Sequence, residues 1–181
     1  MIPIMLSGDA ELLMDQLLDR NGVGMDESSI KKANEIFEKG DMQCLYNHIK
    51  PFLEKNDPYA YYFSSRFSLA EWNESEEDYD KRYIEALLKA AEGGVVEAMY
   101  RLSSLFLVGD PVEMDVDRGK RYLDRAFELG YGPAKLSLAV NLYYGSNGYA
   151  KDIERSIELV SEAEKEGVEG ASQALSIFRS E

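Results

Sequence analysis

A repeat of about three dozen residues constrains this chain more than any other feature. Val96–Gly109, Gly132–Gly145 and Glu169–Phe178 superimpose without gaps. Each has Ala (Ala98, Ala134, Ala171), then Leu four residues on (Leu102, Leu138, Leu175), then a small residue. The two complete segments add an apolar residue at the eighth place (Phe106, Leu142) and Gly at the eleventh (Gly109, Gly145). The offsets are 36 residues from Ala98 to Ala134 and 37 from Ala134 to Ala171. Between them lie a second set of matching segments, Ala86–Gly94, Tyr122–Gly130 and Leu159–Gly167, each closing on Gly. A period of this length signals an array of small supersecondary units, and no unit buries its apolar face alone.

Apolar residues at i, i+4 and i+8 with Ala between them predict helices with one buried stripe. Small residues at Ser65, Ser103 and Ala139 allow a neighbouring helix to approach closely. Gly94, Gly130 and Gly167 are expected to end the second helix of each pair in the left-handed conformation, and Gly109 and Gly145 the first. Asp115 or Asp117, and Asp152, are placed to cap the helix that follows. Upstream the pattern weakens. Asp57-Pro58 opens a helix with Ala60, Ser64 and Phe67 at repeat positions, but Glu71 stands where Gly is expected, and the loop Trp72–Asp78 is long. Residues 29–39 and 41–55 read as a hairpin turned at Gly40, with Pro51 a kink. Asp9–Arg20 reads as an amphipathic helix, and residues 21–28 as a hinge.

The expected organisation is thus an N-terminal helix and linker at 1–28, then an array at 29–181. The array comprises a degenerate pair (29–56), pairs at 57–94, 95–130 and 131–167, and a capping helix at 168–181. In that last helix Ala171, Ala174, Leu175 and Phe178 form a stripe that should dock back on the array. This closure implies a monomer or at most a weak dimer. No strand is expected: the chain is all-α.

With 45% hydrophobic residues, including 12 Tyr and 7 Phe, the chain has enough apolar material to fold. A net charge of −14 disfavours nucleic acid and permits a basic partner. No stretch is long and apolar enough to span a membrane, and Met1–Leu6 lacks the basic flank of a secretion signal. With one cysteine and no disulfide to form, a cytoplasmic location is expected, a mature secreted form remaining an alternative.

Candidate chemistry is sparse. Cys44, in an apolar helical pattern beside Leu45, reads as a buried, inert thiol. His48, the only histidine, lies one turn further on, but no second Cys or His completes a zinc site. The acidic runs Glu74–Asp80 and Asp110–Asp117 lack the alternating ligands and central Gly of a calcium loop and read as solvated loops. Phosphate-binding Gly loops and a nucleophile elbow are missing from the sequence. No catalytic residue, metal site or cofactor is expected.

These repeats resemble the Sel-one-like repeat (SLR) family, relatives of the tetratricopeptide repeat (TPR). Ala134, Leu138, Ala139, Leu142 and Gly145 match the family's first helix, with Ala and Leu in its Gly and Tyr places, and Ser146–Asp152 matches its loop. The likeness covers about residues 57–178, with a looser TPR-like pair from 29 to 56. It implies a right-handed α/α superhelix and an adaptor or scaffold role. A cysteine-rich branch linked to β-lactam hydrolysis carries a Cys pair in each repeat; that pair is absent here, and the activity is not carried over.

The resemblance also implies a concave groove lined by the first helix of each pair. Its positions here are Tyr59, Tyr62, Arg66 and Leu69; then Glu97, Tyr100, Ser104 and Leu107; then Pro133, Leu136, Val140 and Tyr143. The expected ligand is a partner protein or peptide, a basic one in keeping with the charge. Trp72, the lone tryptophan, is either a core plug or a loop anchor for a partner. An inhibitor or immunity-type protein acting through the loop around Trp72 is the alternative role, and a carboxylate hydrolase the remote one.

Overall fold

The computed structural model describes residues 24 to 180. The expected helix at Asp9–Arg20, and residues 21–23 of the expected hinge, lie outside them; of the remaining hinge residues, Glu27 and Ser28 already belong to the first helix. Nine α-helices occur among the described residues, with one short 3-10 helix. The chain divides into two compact units, Met1–Val95 and Val96–Glu181.

The first unit holds α1 (Glu27–Glu38), α2 (Met42–Leu53), α3 (Pro58–Ser64) and α4 (Glu76–Glu92), with the 3-10 helix Ala70–Trp72 between the last two. Asp26, Asp41, Asp57 and Ser75 cap these four helices, each accepting the backbone N–H three residues on. Gly40 turns α1 into α2 at φ 75°, and α2 runs through Pro51 into its last turn. The core joins Ala33 and Ile36 of α1, Leu45 and Ile49 of α2, Ala60 and Phe63 of α3, and Phe67 and Leu69 beyond it. Met25 anchors the chain entry: its side chain is buried and its N–H donates to Asp57 Oδ2 at 2.8 Å.

Two expectations fail here. Cys44 is exposed, because Leu45 and Ile49 take the core side of α2 and leave its neighbour outward. The acidic run at 74–80 is the start of a helix, not a loop. Ser75 and Asp78 form a reciprocal capping box, and Glu76, Glu77 and Asp78 fill the first turn, where the helix dipole favours negative charge.

The second unit repeats one motif. Its helices are α5 (Val96–Val108), α6 (Val116–Glu128), α7 (Gly132–Tyr144), α8 (Ile153–Lys165) and α9 (Ala171–Ser180). Gly109 and Gly145 end α5 and α7 at φ 81° and 68°. The N–H of Asp115 then reaches back to Phe106 O (2.9 Å) and that of Asp152 to Leu142 O (2.8 Å). The same two aspartates cap α6 and α8 through the N–H groups of Arg118 and Arg155; Asp117 lies inside the helix. At the ends of α6 and α8, Tyr131 N–H bonds Ala126 O and Val168 N–H bonds Ala163 O around Gly130 and Gly167. This is the six-to-one closure of a Schellman turn. Gly94 closes α4 of the first unit in the same way, Val95 N–H bonding Ala90 O.

Helix α9 packs on α7 and α8. Ala171, Leu175 and Phe178 are buried, Ala174 is half-buried, and Ser172, Ser176 and Arg179 face water. Phe178 stacks on Tyr143 with centroids 3.9 Å apart.

Candidate functional site

In the first unit the implied groove residues are mostly spent on the fold. Helix α3 stops at Ser64, so Arg66 and Leu69 lie beyond it. Leu69 is a core residue, and Tyr62 is buried. Arg66 lays its guanidinium on Phe37, 3.7 Å from the ring centroid, and near Tyr62 at 5.4 Å. Tyr59 is half-buried against the same core. None of the four projects freely from the helix.

Trp72 takes the plug role. It packs edge-on to Tyr46 (5.2 Å) and against Phe67 (5.6 Å). Over its face lies Arg82, a residue the sequence did not single out, 4.7 Å from the ring. Arg82 donates to Ser64 O (2.8 Å) and Phe67 O (2.9 Å), carbonyls left open by the early stop of α3. It also pairs with Glu74, Nη2 to Oε2 at 2.9 Å. The hydrogen bond from Arg82, joined by one from Ser68 and by the Arg82 charge, outweighs burial and holds the Glu74 carboxyl below the usual carboxylate range.

In the second unit the first helices carry the implied residues with a shift in register. Leu107 packs against Gly119 of α6, where an added Cβ would meet Leu107 Cγ at 2.7 Å. Leu136 lies against the cluster built by α7, α8 and α9, beside Gly170. Tyr143 is only 4% exposed beneath Phe178. These three positions face inward. The exposed positions are Arg101, Ser104 and Val108 on α5; of the corresponding residues on α7, Tyr144 is exposed, whereas Ser137 and Val140 are half-buried, Val140 against the same cluster as Leu136. Val108 and Tyr144 are exposed, each one residue beyond the position expected.

Of the implied set, Tyr100, Ser104, Pro133 and Val140 keep exposed or half-exposed surface on this side. Tyr100 OH lies 2.9 Å from Ser137 Oγ, and its ring meets Tyr131 edge-on at 5.4 Å, so the neighbouring first helices are joined at this face. Glu97, half-buried in the first turn of α5, has one buried carboxylate oxygen without a hydrogen-bond partner. Behind the face, Lys135 pairs with Glu166 and Glu162 at the end of α8. Burial opposes its charge, but the two carboxylates prevail and raise it above the usual lysine value.

His48 Nε2 donates to Ser29 O at 3.0 Å, which commits that nitrogen. Among the described residues, no group of three His, Cys, Asp or Glu side chains is placed to hold a metal. No described helix is long and apolar enough to cross a membrane.

No protein-family model matches the chain, and no curated protein matches it. Solved structures do. A Sel1 repeat protein from Oxalobacter formigenes matches 71% of this chain and 94% of its own, at 27% identity and a TM-score of 0.60. A protective antigen of uropathogenic Escherichia coli displaying an SLR fold matches 82% of this chain and 32% of its own, at 16% identity and a TM-score of 0.63. Cysteine rich protein B of Helicobacter pylori matches 81% of this chain and 96% of its own, at 18% identity and a TM-score of 0.50. Helix pairs closed by Gly at a period of 36 to 37 residues, and these likenesses, give one result: the chain has the Sel1-like repeat fold, an all-α fold of stacked helix pairs.

Proposed function

We propose that this chain is a non-catalytic interaction module that holds a partner protein or peptide on the outward side of its first helices. The observation that carries the reading is the division of labour within α5 and α7. Leu107 and Tyr143 are spent on packing, whereas Ser104 is exposed and Tyr100 and Val140, though half-buried in contacts of the fold, keep part of their surface. Aromatic and small polar residues on rigid helices supply contact area at low entropic cost. The repeat fold that the chain shares with its structural neighbours favours this class of role.

The test is capture of a partner from a lysate on the full chain, followed by affinity measurements with Tyr100→Ala, Ser104→Arg and Val140→Arg. Each variant should remain helical and bind at least tenfold more weakly. Unchanged affinity in all three moves the site elsewhere. An inhibitor acting through the loop around Trp72 has less support, because that tryptophan and Glu74 are tied to the core by Arg82.

A further inference from the structure

Every large apolar side chain that is strongly exposed among the described residues belongs to the second unit: Val108, Met114, Tyr144, Ile153 and Ile177, each between 44% and 72% exposed. Their places in the repeat coincide. Val108 and Tyr144 are the last residues of α5 and α7, Met114 lies in the turn after α5, and Ile153 opens α8 after the corresponding turn. Ile177 lies near the end of α9, next to Phe178, whose ring meets Tyr144 edge-on at 6.3 Å. The two turns touch: an added Cβ on Gly148 would lie 3.2 Å from Val116 Cγ1. Tyr149 of the second turn also reaches α6, donating to Asp124 Oδ1 at 2.6 Å. The five residues therefore line one continuous edge, where first helices turn into second helices.

The charge along this edge is mainly acidic. Residues 109–117 and 145–154 contain Asp110, Glu113, Asp115, Asp117, Asp152 and Glu154 against a single base, Lys151. All six acids are exposed. Lys151 Nζ lies 5.9 Å from the centroid of Tyr143, and Arg118, just beyond the first turn, lies 4.2 Å from that of Phe106. The N-termini of α6 and α8 open here with positive dipole ends, but Asp115 and Asp152 already cap them. Asp110, Glu113, Asp117 and Glu154 remain, and the C-termini of α5 and α7 add negative dipole ends.

We infer that this turn edge is an interaction surface for an amphipathic protein segment that carries Lys or Arg beside its apolar residues. The inference rests on the reading of the chain as an interaction module but places the contact at the turns, not on the first-helix face. Apolar side chains set among uncapped carboxylates complement such a segment in both respects, and they repel nucleic acid and anionic lipid.

The experiment titrates the isotope-labelled full chain with a helical fifteen-residue Leu/Lys peptide, and separately with its Leu/Glu counterpart, reading backbone amide shifts and affinity. The Leu/Lys peptide should shift amides of 108–117 and 144–154 and bind at least tenfold more tightly than Leu/Glu. The triple variant Val108→Ser, Met114→Ser, Tyr144→Ser should lose at least tenfold in affinity with its helicity intact. Asp110→Asn, Glu113→Gln, Asp117→Asn and Glu154→Gln together should abolish the preference for Lys. Shifts centred on Tyr100, Ser104 and Val140 that survive the triple variant overturn the turn edge while leaving the first-helix reading standing. Absence of saturable Leu/Lys binding, or equal binding of both peptides, also overturns it.

Discussion

The two units reach the same helix-pair design by different means. In the second, α5 and α7 are both 13 residues long and end on a left-handed Gly, and each following turn is closed by an aspartate that bonds backward and caps forward. In the first, α3 has only 7 residues, and Glu71 occupies the position of that Gly. The left-handed residue is displaced to Asn73 (φ 46°), the chain between is taken up by a 3-10 turn, and Arg82 satisfies the carbonyls the short helix leaves open. Where the repeat keeps its glycines, the backbone closes itself. Where it loses one, a cation, an acid and a tryptophan perform the closure. The second unit should therefore be sensitive to volume, the first to charge.

The largest effect should come from Phe178→Ala. Its ring stacks on buried Tyr143 and seals the last pair, and truncating a buried Phe costs about 3–5 kcal/mol. Hydrogen exchange should report the loss in α7, α8 and α9, with protection in α1–α4 unchanged. Equal loss in both units would show that they do not respond separately.

Arg82→Met should cost about 2–3 kcal/mol, because it strands a mostly buried Glu74 and two backbone carbonyls at once. Here protection should fall in the first unit. Arg82→Lys should recover only a small part, since one ammonium cannot reproduce the forked contact with Glu74 and both carbonyls. Full recovery by Lys would reduce the role of Arg82 to its charge.

Gly119→Ala sharpens the volume side of the comparison. The added Cβ would meet the Leu107 side chain at 2.7 Å and its backbone N at 3.1 Å, so the α5–α6 pair must separate, at about 1–3 kcal/mol. Gly130→Ala adds a Cβ into open space but at φ 79°, and should cost about 1 kcal/mol through backbone strain alone. Urea midpoints of the two variants separate the mechanisms: a Gly119 loss no greater than that at Gly130 would remove the close-packing argument.

The legible part of this molecule was the part written in backbone chemistry. Alanine and glycine at a fixed period announced helix pairs, and Asp57, Asp152 and the Gly94, Gly130 and Gly167 turns behave as their residue types require. The chain also has the SLR fold that its repeats resembled. The implied partner face was less legible, because a helix position one residue along points about 100° away. Leu107 and Val108 look alike in sequence, as do Tyr143 and Tyr144, and only the placement of Gly119 and Phe178 decides which of each turns inward. Cys44 failed for the same reason beside Leu45. Arg82 escaped notice because its importance comes from the early end of α3, a tertiary compromise with no local signature.

The smallest predicted effect concerns pH and isolates the charged closure of the first unit. Glu74 sits below its ordinary value of 4.5, chiefly through the hydrogen bond from Arg82. A carboxyl with a depressed folded value contributes stability that is fully present above the ordinary value and is lost as pH falls through the folded one. Glu74→Gln removes that contribution, so the stability gap between the wild-type chain and the variant should stay constant from pH 8 to pH 5. Below pH 4.5 it should narrow, because the wild-type carboxyl becomes neutral as well. Other carboxylates titrate in the same range, but they do so in both proteins and cancel in the difference. Urea midpoints across that pH range measure the gap directly. A gap that widens on acidification would mean that Glu74 is held closer to neutral in the folded chain than in the unfolded one, which is incompatible with an ion pair to Arg82.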